Sequence, residues 1–121
     1  MRPVKPAPIL FVDDSAVARA ALKHRLTERG LEVVVLASAT EAAAVQGSSF
    51  AAALLDIELG DGFGPEIAAH LRKSAPELPI AFLTAGGTVE ILAAAARLGP
   101  VFSKTSGIDD AVLWIAAAAG F

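Results

Sequence analysis

A doubly wound α/β domain, in which parallel strands alternate with helices, is the fold class this sequence predicts, and three observations lead to it. Short apolar runs recur at residues 9–12, 31–36 (broken only by Glu32), 51–55, 79–83 and 101–102. Between them lie stretches with apolar positions at helical spacing, several rich in alanine. Polar groups close the runs: Asp13-Asp14 the first, Asp56 the third, Thr84 the fourth, with Lys104 just past the fifth. Uninterrupted apolar strands are those buried on both faces, the condition of a parallel sheet covered by helices. Right-handed crossovers bring the carboxyl ends of such strands to one edge, where ligands bind near a reversal of strand order.

The elements follow in order. Residues 1–7 carry two prolines and read as a loose leader. A strand at about 8–12 precedes a helix at 15–29, whose Val17, Ala21, Leu22 and Leu26 share a face and which Gly30 ends. Residues 31–36 are largely β-branched and predict the second strand. An alanine-rich helix runs from Ser38 to about Gln46, closed by Gly47-Ser48-Ser49. The third strand leads through Asp56 into a loop at 57–62, and the helix at 65–74 opens on Pro65 and aligns Ile67, Ala68 and Leu71. Pro76 and Pro79 bracket the turn into the fourth strand. Helices at 88–98 and 108–119 flank the short fifth strand, and Asp109-Asp110 suit the dipole of the last helix.

Composition narrows the function. A chain of 121 residues fits one domain around one core. The absence of cysteine excludes disulfides, thiolate metal sites and thiol nucleophiles. A formal charge of -3, with ten Lys and Arg dispersed along the chain, leaves no basic stripe and argues against direct nucleic-acid binding. Although 55% of residues are hydrophobic, charges, glycines and prolines interrupt every stretch before the ~18 apolar residues of a membrane helix. The prolines and acids near the start argue against a signal peptide, so the cytoplasm is the expected location.

Three carboxylates, a hydroxyl and an ammonium at one sheet edge make a specific chemistry available. A hard dication such as Mg²⁺ is held by one or two carboxylates, waters and phosphate. Asp14 and Asp56 supply the carboxylates, with Asp13 acting through water. Like charges set so close repel one another unless a cation neutralises them. A carboxylate can attack an in-line phosphoryl donor while cations and a hydroxyl stabilise the equatorial oxygens, and Asp56, alone on its strand, is the best nucleophile. Taken singly, the acids read equally well as a solvated helix cap at 13–14 and a turn residue at 56.

Four segments, in order, resemble those of response-regulator receiver domains, the phosphoacceptor partners of sensor histidine kinases. They are Leu10-Phe11-Val12-Asp13-Asp14-Ser15, the loop Leu54-Leu55-Asp56-Ile57-Glu58-Leu59-Gly60-Asp61-Gly62-Phe63-Gly64, Phe82-Leu83-Thr84-Ala85 and Phe102-Ser103-Lys104. The resemblance covers about residues 7–119 and implies a flavodoxin-like (βα)5 sandwich with strand order 2-1-3-4-5, residues 8–121 being the receiver domain. It implies that Asp56 is phosphorylated by a histidine kinase or a histidine phosphotransfer protein. Asp13, Asp14, Asp56 and the backbone carbonyl of Glu58 would bind Mg²⁺. Thr84 and Lys104 would contact the phosphoryl group, Ala85 would keep the pocket open, and Phe102 stands in the place of the aromatic whose rotamer follows Thr84, with plain core packing on its short strand as the other reading. The surface of helix four, strand five and helix five, with Val89, Leu92, Ala93, Ala96, Ala111, Val112, Ile115 and Ala119, would meet a downstream protein or a second copy; equally, alanine stands there simply as a good helix former. Since the sequence ends after helix five, a stand-alone receiver, without enzymatic activity beyond its own phosphorylation and dephosphorylation, is expected.

Two departures stand out. Thr105 follows Lys104 where the family has proline, often with a cis bond, so a trans bond and a shifted loop are expected. Gly60 stands where the loop commonly has proline. The side chain of Glu58, two residues past Asp56, is expected to modulate hydrolysis of the phosphoryl group. Two rival readings remain: a haloacid-dehalogenase-like phosphatase using Asp13 with Thr84, Lys104 and Asp109-Asp110, and a receiver-like binding module that works without phosphorylation. His24 and His70, each beside basic neighbours, read as exposed helical residues without chemistry.

Overall fold

The computed structural model describes residues 6–120. Five parallel strands form one sheet: β1 (Ile9–Val12), β2 (Val33–Leu36), β3 (Ala52–Asp56), β4 (Ile80–Thr84) and β5 (Val101–Ser103). They lie in the order β2-β1-β3-β4-β5, the doubly wound arrangement expected. The helices are α1 (Ala16–Glu28), α2 (Ala39–Ala43), α3 (Gly64–Ser74), α4 (Val89–Ala96) and α5 (Ile108–Ala118).

Strand residues alternate between two apolar layers. Ile9, Phe11, Leu54 and Leu83 face α1 and α5, packing with Leu22, Leu26, Val112 and Ile115. Leu10, Val12, Leu55 and Phe82 face the other side, where Ile67 and Leu71 of α3 and Ala95 of α4 cover them. Because both faces are covered, β1 and β3 are wholly buried, which explains their unbroken apolar sequence. Parallel register pairs Asp56 with Leu83 and Thr84 with Ser103, so the polar strand ends fall into one row.

Three helices start where a hydroxyl accepts a backbone N–H from the first turn: Ser15 from Ala18 (3.2 Å), Ser38 from Glu41 (3.0 Å) and Thr88 from Ile91 (3.2 Å). Glu41 reaches back past the cap and accepts the Ala37 N–H at 3.0 Å, fixing the chain as it enters the helix.

Several boundaries differ from expectation. β2 begins at Val33 because Leu31 completes the end of α1, its N–H donating to the Leu26 carbonyl at 3.1 Å. α2 stops at Ala43, and Gly47–Ser49 form a separate 3₁₀ turn. Val17 and Ala21 are exposed; Leu22 and Leu26 alone carry the buried face of α1. The loop after Asp56 folds into an antiparallel ribbon, Glu58–Leu59 with Gly62–Phe63, which two-residue strands left invisible in the sequence. On α5, Ala111, Val112 and Ile115 are core rather than interface, whereas Val89 of α4 is 79% exposed. His70 is half-buried rather than exposed, its Nε2–H donating to the Val45 carbonyl at 2.8 Å. Of the leader, residues 1–5 lie outside the described residues.

Candidate functional site

Asp13 follows the last residue of β1 directly and is fully buried. Its Oδ1 accepts the Ser15 N–H at 2.9 Å, and its carbonyl accepts a hydrogen bond of 2.8 Å from Arg19 of α1. Its Oδ2 lies 2.8 Å from the Lys104 ammonium yet takes part in no well-directed hydrogen bond. Asp14, one position on, turns outward and is exposed.

Asp56 is the last residue of β3 and is 5% exposed. Lys104 Nζ donates to its Oδ2 at 3.0 Å, so one ammonium bridges two acids that the chain separates by dozens of residues. Burial pushes the Asp56 carboxyl up from 3.8 to about 6; the hydrogen bond from Lys104 opposes this and the charge of Asp13 adds to it. For Lys104, burial alone would lower the pKa, but the pairing with the carboxylates of Asp13 and Asp56 outweighs it and raises the value.

Asp14, Asp56, Glu58, Thr84, Ala85, Gly86 and Lys104 line a cavity of about 370 Å³. The Thr84 hydroxyl does not reach Asp56 by hydrogen bond. It donates to the Gly86 carbonyl and accepts the Gly86 N–H at 3.0 Å, so its own loop holds it. Phe102 is half-buried against the α1 and α5 layer and does not line the cavity. Among the described residues there is no cis peptide bond, so Lys104 and Thr105 are joined in trans. Asp109, which the phosphatase reading recruits, is paired instead with Arg25 of α1.

One oxygen from each of Asp13, Asp14 and Asp56 can be chosen so that all lie within 4.8 Å of one another. With all-oxygen donors and a buried Asp13 oxygen short of hydrogen bonds, this set fits a hard divalent cation.

Sequence reasoning named every acid of this cavity but missed how the loop that follows Asp56 is anchored. Asp61 accepts the Ala39 N–H at 2.8 Å, the Thr40 N–H at 2.9 Å and the Thr40 hydroxyl at 2.7 Å, tying the acidic loop to the start of α2. A signal was present in the loop's second acid, but its partner lies 21 positions away along the chain.

The fold, the acid cluster and the bridging lysine define a receiver-type architecture, and comparison with known proteins agrees. The family model for the response regulator receiver domain matches residues 9–110, and the chain belongs to that family. Among curated relatives, the photosynthetic apparatus regulatory protein RegA of Rhodobacter capsulatus is 32% identical over 105 residues, covering 84% of this chain and 57% of that protein. The transcriptional regulatory protein GlrR of Escherichia coli K12 is 30% identical over 111 residues, 91% of this chain and 25% of its own length. The chain thus spans little more than half of the first relative and a quarter of the second. Among solved structures, the non-phosphorylated HemR receiver domain of Leptospira biflexa superposes with a TM-score of 0.81 at 26% identity, covering 97% of this chain and 96% of that one.

Proposed function

We propose that Asp56 accepts a phosphoryl group from the phosphohistidine of a histidine kinase or a histidine phosphotransfer protein. A carboxylate oxygen of Asp56 attacks phosphorus, the P–N bond breaks, the imidazole leaves with the bonding pair, and a mixed anhydride remains on Asp56. With its carboxyl near 6, Asp56 is mostly ionised at neutral pH while retaining more basicity than an ordinary aspartate. Mg²⁺, held by Asp13, Asp14, Asp56 and the Glu58 carbonyl, would neutralise charge on the phosphoryl oxygens. Lys104 is positioned to pair with one of these oxygens, and Thr84 can reach another once it leaves Gly86.

The exchange of Thr84 between its loop and the phosphoryl group, followed by Phe102, is the proposed signal. It passes to a downstream protein or a second copy through α4, β5 and α5. Among the described residues, no helix is long and apolar enough to cross a membrane. A cytoplasmic site of action without direct nucleic-acid contact by this domain suits the composition. The name of the relative GlrR, a transcriptional regulatory protein, points to control of transcription as the pathway's end.

The observation that carries the reading is the bridge from Lys104 to both Asp13 and Asp56 beside an open cavity. Acetyl phosphate with Mg²⁺, followed by peptide mapping, tests it. Modification at Asp56 is expected, with a loss of at least about 1,000-fold in Asp56→Asn. Modification at Asp13 would support the phosphatase, and none at all the phosphorylation-independent module. In the same assay, decay of the modified protein should change in Glu58→Ala; equal lifetimes would remove Glu58 from the mechanism.

A further inference from the structure

Thr105, standing where the family pattern has proline, brings a backbone N–H that proline lacks, and Ser106 brings the next one. Both go to one acceptor. Ser103 Oγ accepts from Thr105 N–H at 3.1 Å and from Ser106 N–H at 3.4 Å, and the Ser103 and Thr105 hydroxyls share a hydrogen bond of 2.9 Å. The main chain of Ser103 closes the same turn, its carbonyl accepting the Gly107 N–H at 2.8 Å. A Cβ on Gly107 would lie 2.8 Å from the Ser103 nitrogen, so the loop folds tightly back on that residue.

Lys104 is the residue these bonds enclose. Its N–H donates to the Thr84 carbonyl at 2.8 Å, and its side chain reaches inward to Asp13 and Asp56. A lysine held between two carboxylates gives up much rotamer freedom, so the angle at which the backbone presents it decides how often the bridge forms. Proline would restrict that backbone through its ring. Here a side-chain hydroxyl does so through hydrogen bonds.

We infer that Ser103 is a positioning residue for Lys104, its hydroxyl closing the turn 103–106 in the role that a proline ring after the lysine would otherwise fill. The consequence for phosphorylation rests on the reading of Asp56 as phosphoacceptor; the consequence for Lys104 itself does not. A turn that only added stability would leave the ammonium where it is, and its loss would cost the same whatever residue stood at 105.

The test compares the native chain with Ser103→Ala, Ser103→Thr, Thr105→Pro and the double variant Ser103→Ala/Thr105→Pro, with thermal melts to check folding. Two quantities are read: the Lys104 ammonium resonance in lysine-selective ¹H–¹⁵N spectra without metal, and the rate of Asp56 modification by acetyl phosphate with Mg²⁺. Ser103→Ala should shift or broaden the resonance and slow modification about threefold to tenfold, while Ser103→Thr restores both. Against Thr105→Pro, the alanine change should cost less than about twofold, because one donor to Ser103 is gone and the ring restrains the turn. An unmoved Lys104 resonance in Ser103→Ala, or the same loss in both backgrounds, overturns the inference. If Thr105→Pro fails to fold, the resonance in Ser103→Ala against Ser103→Thr decides alone. If native Asp56 takes no phosphoryl group, the proposed function falls and the resonance still decides the role of Ser103.

Discussion

Asp56 and Asp61 belong to one loop region, and their carboxyl groups are driven in opposite directions. Asp56, nearly sealed from solvent, is pushed up to about 6, chiefly by burial. Asp61, at the surface, is held down at about 2 by the Thr40 hydroxyl and the N–H groups of Ala39 and Thr40. Donor supply separates them as much as solvent does. Asp61 spends its lone pairs on three donors and is fixed as the cap that joins the loop to α2. Asp56 receives one side-chain donor, Lys104, and keeps more of its basicity. A carboxylate that holds structure is saturated with donors; one left short of them remains the stronger base.

The contrast breaks first at Asp56. Its raised pKa means that the folded state binds a proton more tightly than the unfolded chain. The cost of folding with Asp56 is therefore absent below pH 3.8, grows as pH rises toward about 6, and is complete above that. Asp56→Asn should stabilise the metal-free protein at pH 8 by about 1–3 kcal/mol, the lower end applying because Lys104 loses one of its partners. The gain should vanish by about pH 4. Urea unfolding at the two pH values, with a chelator present, measures it; destabilisation at pH 8 would mean that the Lys104 pair outweighs burial.

A smaller effect is expected where the Asp61 end of the loop meets α2. A Cβ on Gly62 would fall 2.8 Å from the Ala39 Cβ, closer than side chains approach. Gly62→Ala should push the ribbon away from α2, at a cost of about 1–2 kcal/mol in denaturant unfolding. Ala39→Gly in the same chain should return most of it, once the intrinsic cost of glycine near a helix start, about 1 kcal/mol or less, is allowed for. No recovery would place the strain elsewhere in the loop.

These two acids also show what a sequence reveals and what it hides. Asp56 was legible because it ends an apolar run, and a run buried on both faces can end only at a sheet edge. The same logic found Asp13, Thr84 and, one step beyond β5, Lys104. Asp61 was not legible as a cap because its partners, Ala39 and Thr40, are distant in the chain and nothing local signals the bond. The ribbon at 58–63 was missed because two residues cannot show a period of two. Val17 was misassigned because helical spacing gives a face without saying how much of that face the sheet covers; only Leu22 and Leu26 of that stripe are buried. Ser103 was invisible for a different reason: its importance arises only through the N–H groups that follow Lys104, and a hydroxyl in a turn carries no mark of which donors it will accept.

The finest test of the contrast lies in the Asp61 cap itself. Because its folded pKa is depressed, Asp61 adds stability that is present in full above pH 3.8 and is lost as pH falls through about 2, the reverse of Asp56. Asp61→Ala should lower the melting temperature at pH 7, by less than Gly62→Ala does, since water can replace the lost acceptor at an exposed helix start. The difference from the native chain should shrink as pH falls below 3.8, because a protonated Asp61 is a weaker acceptor for the Ala39 and Thr40 N–H groups. Asp61→Asn keeps one acceptor oxygen without charge and should lie between the two at pH 7. Thermal melts at stepped pH separate the possibilities. A native chain and Asp61→Ala differing by the same amount at pH 7 and pH 2.5 would show that shape rather than charge holds the loop to α2, and the pairing of a saturated with an unsaturated acid would lose its second half.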